Sequence, residues 1–470
     1  MAATCSLTVV CGLATFAWGE ELPLGLLIAG APLAVAVAWL FPVELALLFA
    51  AVTMFRIHEA YQFLMPLRLP LLAASLAMLS CALHMVSGKV SLPDRPELKL
   101  ALLFFAHVTI GCVFSVNIDQ SFGIWSDGVI KLLVAMVFLA MILVVPRDAG
   151  KVAFALVAGS VLISCVAIYN QYMGLELVEG SRVTIARSIR SQLGDPNDLA
   201  FALMFPVAFA LAALTVRGQS IGRRVLWLAA LVLICWAVIA TKSRGGLLAT
   251  MAVIGCVYAI NFKAKLMPLI VAAALGAMFY VVAGIGEREY SIGAASAIDD
   301  SSMTRMDAWR AAFLMAVDRP IFGVGIGNFP DRYWLYAQHW LGRSYVTHSV
   351  WFQALSETGF VGLGLLVGMF VTAIKSAYRS MRVLERVQAP VNVLALSVAV
   401  FAAWIGIAVA GSFLSQIFGW QIFTLVALTA VLGQHVAETY PAEAIAVGLV
   451  ASKVDQATAG PASATRRLAP

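Results

Sequence analysis

Apolar runs of roughly 15 to 25 residues, separated by short polar turns, recur along most of the chain, and each is long enough to cross a hydrocarbon core of about 30 Å as a helix. They fall at about 5 to 18, 23 to 40, 42 to 55, 68 to 86, 99 to 116, 127 to 145, 151 to 170, 199 to 216, 225 to 241, 245 to 261, 266 to 285, 352 to 374, 391 to 411 and 417 to 435. The pattern predicts an all-α, polytopic membrane bundle of about 12–14 transmembrane helices. The first three runs are short and tightly spaced, so a re-entrant pair there lowers the count. The alternating ten-residue segments of a β-barrel are absent. One long polar stretch, 286–351, interrupts the rhythm and reads as a partly helical loop. After 435 the chain turns polar, and 436–470 is expected to be a disordered tail.

Composition supports a lipid-facing chain: 62% of positions are hydrophobic and 12% charged, too few charges to coat soluble domains. No basic segment precedes the apolar run from Ser6, and the first Lys or Arg is Arg56, so the first span is expected to be retained. All seven cysteines fall within apolar runs without paired spacing, which argues against a disulfide framework and a zinc site. The net charge of +6 sits mostly in short loops, where membrane topology and anionic headgroups explain it without a nucleic-acid partner.

Orientation follows from those loops. SGKVSLPDRPELK, PRDAGK, RGQSIGRR, NFKAK and KSAYRSMRVLER each carry at least two basic residues on alternate turns of the chain, which makes that side, with both termini, cytoplasmic. Segment 171 to 198, the turn TKSRGG and the long loop then lie outside. Arg182, Arg187, Arg190, Lys242, Arg244, Arg288, Arg305, Arg310, Arg319, Arg332 and Arg343 are on the side where few positive charges are expected. Long loops can cross regardless of charge. Binding a multiply charged anion is the functional explanation for so many guanidinium groups.

Within the loop, SSMTRMDAWRAAFLMAVDRP reads as an amphipathic helix. Ser301 or Ser302 caps it, Met306, Trp309, Phe313 and Val317 form an apolar stripe, Arg305, Asp307 and Arg310 face the other way, and Pro320 ends it. Packed on the bundle it would be an ordinary loop helix; along the membrane surface it would suit a lipid-linked substrate. Gly323, Gly325 and Gly327 lack the βαβ context of a dinucleotide site and are expected to give the loop flexible backbone over a site. His348, where the loop re-enters the membrane, is the candidate proton acceptor, with His339 a weaker one; a lone interfacial histidine can equally be a satisfied polar residue. His58, His84, His107 and His435 look structural. Asp195 and Asn197, in SQLGDPNDLAF, suit a helix cap or a substrate contact. Glu20 with Glu21, and Asp299 with Asp300, are the adjacent carboxylate pairs weighed as metal ligands, and neither makes a convincing site.

Four segments in order, SQLGDPNDLAFAL, TKSRGGLLA, TRMDAWRAAFLMAVDRPIFGVGIGNF and THSVWFQALSETGFVGLGLL, resemble the O-antigen ligase and polymerase superfamily of bacterial envelope glycosyltransferases. The resemblance covers about residues 180–375, within a bundle spanning 1–435. It implies transfer of a glycan from an undecaprenyl-diphosphate carrier to an acceptor hydroxyl, such as that of lipid A-core or another glycan, at the periplasmic face of the bacterial inner membrane. It implies no nucleotide sugar, metal or other cofactor. The family's functional residues fall on Arg244, Arg305 and His348 as catalytic groups. Arg310 can share the role of Arg305, and Arg319, Arg190, Asp195 and Asn197 join the substrate-binding set.

Two other readings stand beside ligation. A polymerase of O-antigen or exopolysaccharide uses a second lipid-linked repeat as acceptor, and the motifs do not separate the two. A transporter or lipid-glycan flippase should bury charges near the midplane of broken helices. Most spans here are uncharged, with Lys131 the main exception.

Overall fold

The computed structural model describes residues 22–88, 90–216, 218–262, 296–338, 340, 342 and 345–450. The expected spans at 5 to 18 and 266 to 285, the chain after 450, and Cys5, Cys11, Glu20, Glu21, Arg288, His339 and Arg343 lie outside the described residues. So do the side chains of Asp299, Asp300, Ser301 and Ser302.

Helices α1 (Leu22–Leu40) and α2 (Pro42–Met54) are separated by Phe41 and bent by 97°, the broken or re-entrant pair that the tight spacing of the first runs allowed. Then come α3 (Leu69–Val86), α4 (Pro96–Val113), α5 (Ile118–Ile142, with a π-helical turn at Trp125–Val129), α6 (Val145–Met173), α7 (Pro196–Leu214), α8 (Ile221–Ala240) and α9 (Arg244–Phe262). The long loop contributes α10 (Ser296–Asp318) and α11 (Phe329–Tyr336), and α12 (Val350–Arg386), α13 (Val391–Gly411), α14 (Trp420–Thr439) and α15 (Pro441–Ala446) complete the chain. Among the described residues, ten helices are long and apolar enough to cross a membrane, or up to eleven if the bent pair is one span. The molecule is therefore an all-α, multi-pass membrane bundle.

Local chemistry sets the ends. Proline stands in the first turn of α4, α6 and α7, where a missing amide hydrogen costs no helical bond. Ser220 caps α8, and Gly174 ends α6 in the left-handed region at φ 68°. Helix α7 is 78% buried over its apolar window and α8 only 22%, so α7 is the axis of the bundle and α8 faces lipid. Close approach along that axis needs small residues. A Cβ on Gly246 of α9 would collide with Ala200 of α7, and one on Gly406 of α13 would meet Val253 at 2.5 Å.

Among the described residues, the basic loops that carry Arg95, Lys151, Arg223 and Arg379 gather at one end of the bundle. There Lys151 bonds Glu44 at 2.6 Å, and Arg95 donates to Ser376 at 3.2 Å and to the Leu449 carbonyl at 3.4 Å. Arg379 donates to the Gly448 carbonyl at 2.6 Å. With Ala444 and Leu449 also buried, residues 436–450, expected to be disordered, are structure packed on the bundle.

Two expectations about the long loop change. The face of α10 that packs is Ala308, Ala311, Ala312 and Met315, at helical steps of three and four, with Trp309 stacked on Phe352 at 4.9 Å between ring centres. Small side chains let α10 lie close against α12, and Met306, Phe313 and Val317 are left exposed. The glycine run, expected to be flexible, is wedged into a fitted cradle. Gly323, Gly325 and Gly327 all have positive φ, and an added Cβ would overlap Ser356, Ser115 and Ile124 respectively. Asn328 Nδ2 donates to Ser115 and Ser121, Gln120 donates to the Gly327 carbonyl, and the Val324 amide donates to the Ser356 carbonyl at 2.8 Å. Glycine is needed here for backbone shape and close approach. The partner of this cradle is a break in α12 at Gly359 (φ 71°, ψ −174°), whose own Cβ would lie 2.6 Å from the Pro320 and Ile321 carbonyls.

Gly323→Ala is accordingly expected to destabilise the protein by about 1–3 kcal/mol, from a strained φ and a backbone collision. Gly364→Ala, in open space on α12, is the control and should not. Thermal unfolding of the detergent-solubilised protein, followed by tryptophan fluorescence, checks this. Equal midpoints for the two variants would show that the cradle is not rigid.

Candidate functional site

At the end of the bundle opposite the basic loops, three separate stretches of chain meet: 171 to 198, the turn before α9, and the long loop. The first forms a small hairpin in which Leu177–Val178 pairs antiparallel with Arg182–Val183 around a turn with positive φ at Glu179 and Gly180. The hairpin aims Arg182 inward. Buried to 8% exposure, Arg182 donates from Nη2 to Asn197 Oδ1 at 2.9 Å and from Nε to the Thr241 carbonyl at 3.2 Å. Asn197 Oδ1 also accepts from Ser243 Oγ at 2.9 Å. One side-chain oxygen thus ties the hairpin, the start of α7 and the serine-arginine-glycine turn together. Ser243 Oγ accepts the Gly246 amide, capping α9 so that Arg244 is its first residue, exposed toward this end.

Asp195 caps α7, accepting from the amides of Asn197 (2.8 Å) and Asp198 (3.4 Å). The capping expectation for Asp195 therefore holds, and Asn197 acts as a brace between segments.

The long loop is fastened beside these groups by Trp309, whose Nε1 donates to the Thr347 carbonyl at 2.8 Å. Arg305 precedes Trp309 by four residues, so both share one face of α10. That face carries Arg305 into a half-buried position in the field of Arg244; burial, and then the Arg244 guanidinium, lower its pKa. Among the described residues, the charged neighbour that acts on Arg305 is another cation. Thr347 is pinned from the other side by Ser415 at 2.9 Å, and Trp351 donates to Ser412 at 3.2 Å. Gln353 accepts the Ile417 amide at 3.1 Å, so the α13–α14 connection is a strap behind the site.

His348 sits between these anchors with φ 47°, in the left-handed region that is uncommon for residues other than glycine and that histidine tolerates better than most. Burial, and then Arg305, hold its imidazole below the ordinary value, with Asp195 acting in the opposite sense. At neutral pH the ring is neutral and able to accept a proton. Directly after it α12 begins, and Ser349 places no side-chain cap on the first amides of that helix.

The structure thus brings together Arg244, Arg305, His348 and Asp195, with Asn197 behind them. It separates others. Arg310 lies five residues beyond Arg305, about 140° round the helix, and donates to Gln338 at 2.8 Å on an exposed face. The two arginines therefore point to different sides of α10. Arg319 follows the end of α10 and donates to the Phe114 carbonyl at 3.3 Å, away from His348. Arg190 is exposed at the end of a 3-10 turn with φ 57°. Among the other histidines, His107 is structural as expected: its Nε2 bonds the Thr358 carbonyl at 2.9 Å and its ring stacks on Phe322.

Sequence reasoning placed Arg182 among the external arginines without giving it a role, and missed Ser243 and the 412 to 419 strap. For Arg182 a signal existed, since LVEGSRV has the Gly-containing turn of a short hairpin. Nothing local marks the strap.

Residues 229–367 match the O-antigen ligase family model, a span that includes α9 to the first half of α12 and contains Arg244, Arg305 and His348. The match supports membership of the O-antigen ligase superfamily and, in general terms, glycan transfer of the ligase or polymerase type. No curated protein sequence matches the chain significantly.

The electrostatic arrangement predicts the titration of His348. Its carbethoxylation rate, followed against pH by mass spectrometry, should have a midpoint below the ordinary 6.5. Arg305→Ala removes a cation that disfavours the protonated ring and should raise the midpoint, whereas Asp195→Asn removes an anion that favours it and should lower it further. A midpoint indifferent to Arg305→Ala would mean that the two groups are not neighbours.

Proposed function

With residues 229–367 matching the O-antigen ligase family as the premise, we propose that the protein transfers a glycan from an undecaprenyl-diphosphate carrier to an acceptor hydroxyl, acting as a ligase with lipid A-core or a similar glycan as acceptor. The observation that carries this reading is the pairing of Arg305 with Arg244: two guanidinium groups from separate segments, one of them half-buried, sharing a field. Such a pair is suited to an anion with more than one charge, which a diphosphate is.

In this mechanism the arginines hold the diphosphate and stabilise the charge that develops on it as the anomeric bond breaks. His348 accepts the proton of the attacking hydroxyl, and its neutral state suits that task. The hydroxyl oxygen bonds the anomeric carbon from the face opposite the leaving diphosphate, so configuration inverts. The proton ends on His348, and the electron pair of the broken bond leaves with the carrier diphosphate. The uncapped start of α12 adds positive potential to the same place. The stretch 286–351 serves as the lid of a ligase-like core at about 180–375. The end bearing the basic loops is cytoplasmic, and the site opens to the periplasm of the bacterial inner membrane. Arg310 and Arg319 bond Gln338 and the Phe114 carbonyl, outside this centre.

Reconstitution tests the proposal. Purified protein in liposomes, given undecaprenyl-diphosphate glycan and a choice of lipid A-core or a second lipid-linked repeat, should glycosylate lipid A-core and continue to do so in EDTA. His348→Ala should slow transfer by about 10²–10⁴-fold, the range for loss of a general base. Product on the second repeat alone would make the protein a polymerase, and full activity in His348→Ala would remove the base from the mechanism.

A further inference from the structure

The end of the bundle opposite the site contains a groove that glycan transfer does not use. It measures about 270 Å³ and lies between the first turns of α6, α8 and α13 and the last turn of α7. Its walls are unusually small: Ala149, Gly150, Ala153, Ala213, Ala395 and Ala399 line it, with Phe154, Phe209 and Trp227 further along. A Cβ on Gly150 would meet nothing within 4 Å, so open space reaches the helix backbone. In a close-packed bundle, facing helices normally fill such a gap.

The polar groups are gathered at one rim. Arg223, Gln219 and Asn392 supply them. Gln219 Nε2 is engaged with the Ala213 and Val216 carbonyls at 2.6 and 3.3 Å, which leaves Arg223 as the charged group of the groove. The acids nearby are already satisfied by other cations: Asp148 by Arg147 at 3.0 Å, and Glu44 by Lys151 at 2.6 Å. Helix α8, which carries Arg223 and Trp227, has exposed Ile221, Val225, Leu226 and Leu228 in the same two turns and therefore stands in lipid.

A hydrocarbon-walled slot that opens to lipid and has an arginine at its rim has the chemistry of a phospholipid site. We propose that this groove holds one anionic phospholipid, with its phosphate headgroup at Arg223 and Asn392 and an acyl chain along Ala153, Phe154, Trp227 and Ala399. The lipid fills the gap that the small residues leave and joins α8, the most exposed span among the described residues, to α13.

Trp227 reports on the slot directly. In phosphatidylcholine vesicles with rising fractions of phosphatidylglycerol, acyl-chain-brominated lipid of each class in turn should quench Trp227, measured as the difference between the protein and its Trp227→Phe variant. The proposal expects half-quenching at a lower mole fraction of brominated phosphatidylglycerol than of brominated phosphatidylcholine. Arg223→Ala should weaken the preference about fivefold, the order of one arginine-to-headgroup contact. Arg224→Ala, an equal change of charge one residue on, should leave it in place. Gly150→Leu and Ala395→Leu fill the slot from opposite walls and should each abolish the preference, so that the result does not hang on one substitution. Equal quenching by both lipid classes, or a preference that survives Arg223→Ala and both filling variants, would mean that Trp227 sees only bulk lipid and would overturn the site.

Discussion

Holding Arg305 and Arg244 in one field, with Arg305 half-buried, is the constraint around which the rest of the site end is arranged. Like charges in a partly desolvated place repel, and a free lid would swing away from that repulsion. The long loop that carries Arg305 is not free. Trp309 bonds the Thr347 carbonyl and stacks on Phe352, the alanine face of α10 lies against α12, and the glycine run locks into its cradle beneath α5 and the Gly359 break. On the other side Asn197 fixes the turn that carries Arg244 through Ser243 and Arg182. Packing and hydrogen bonds outside the site thus keep the two cations together.

The same economy explains His348. Its left-handed backbone is imposed by anchors on both sides, Thr347 on Ser415 and Trp351 on Ser412. Between two fixed neighbours, that backbone leaves the ring in the fields of Arg305 and Asp195. The strap between α13 and α14 serves the site without entering its chemistry.

Most of the bundle was legible in the sequence because a lipid-facing helix must be apolar along its whole length, which makes boundaries such as 391 to 411 plain. The alternation of basic loops was equally visible, and those among the described residues gather at one end. Packing faces were less legible. The stripe Met306, Phe313 and Val317 is the larger apolar pattern on α10, yet Ala308, Ala311, Ala312 and Met315 pack, because closeness to a neighbour selects small residues. Arg305 and Arg310 look alike along the chain, and only the helical angle, with Trp309 fixing the phase, separates them. Arg182 and Ser243 meet at Asn197 through contacts across 15 and 46 residues, which no local pattern encodes.

The central claim is that Arg244 and Arg305 act as one unit on a single anionic group, and a double-mutant cycle on glycan transfer tests it most directly. Each single alanine variant should slow transfer by about 10²–10³-fold, and the double variant should be little slower than either, because residues that serve one bound group are not additive. Losses that multiply in the double variant would mean that the two arginines act independently and that the lid does not close on the turn before α9.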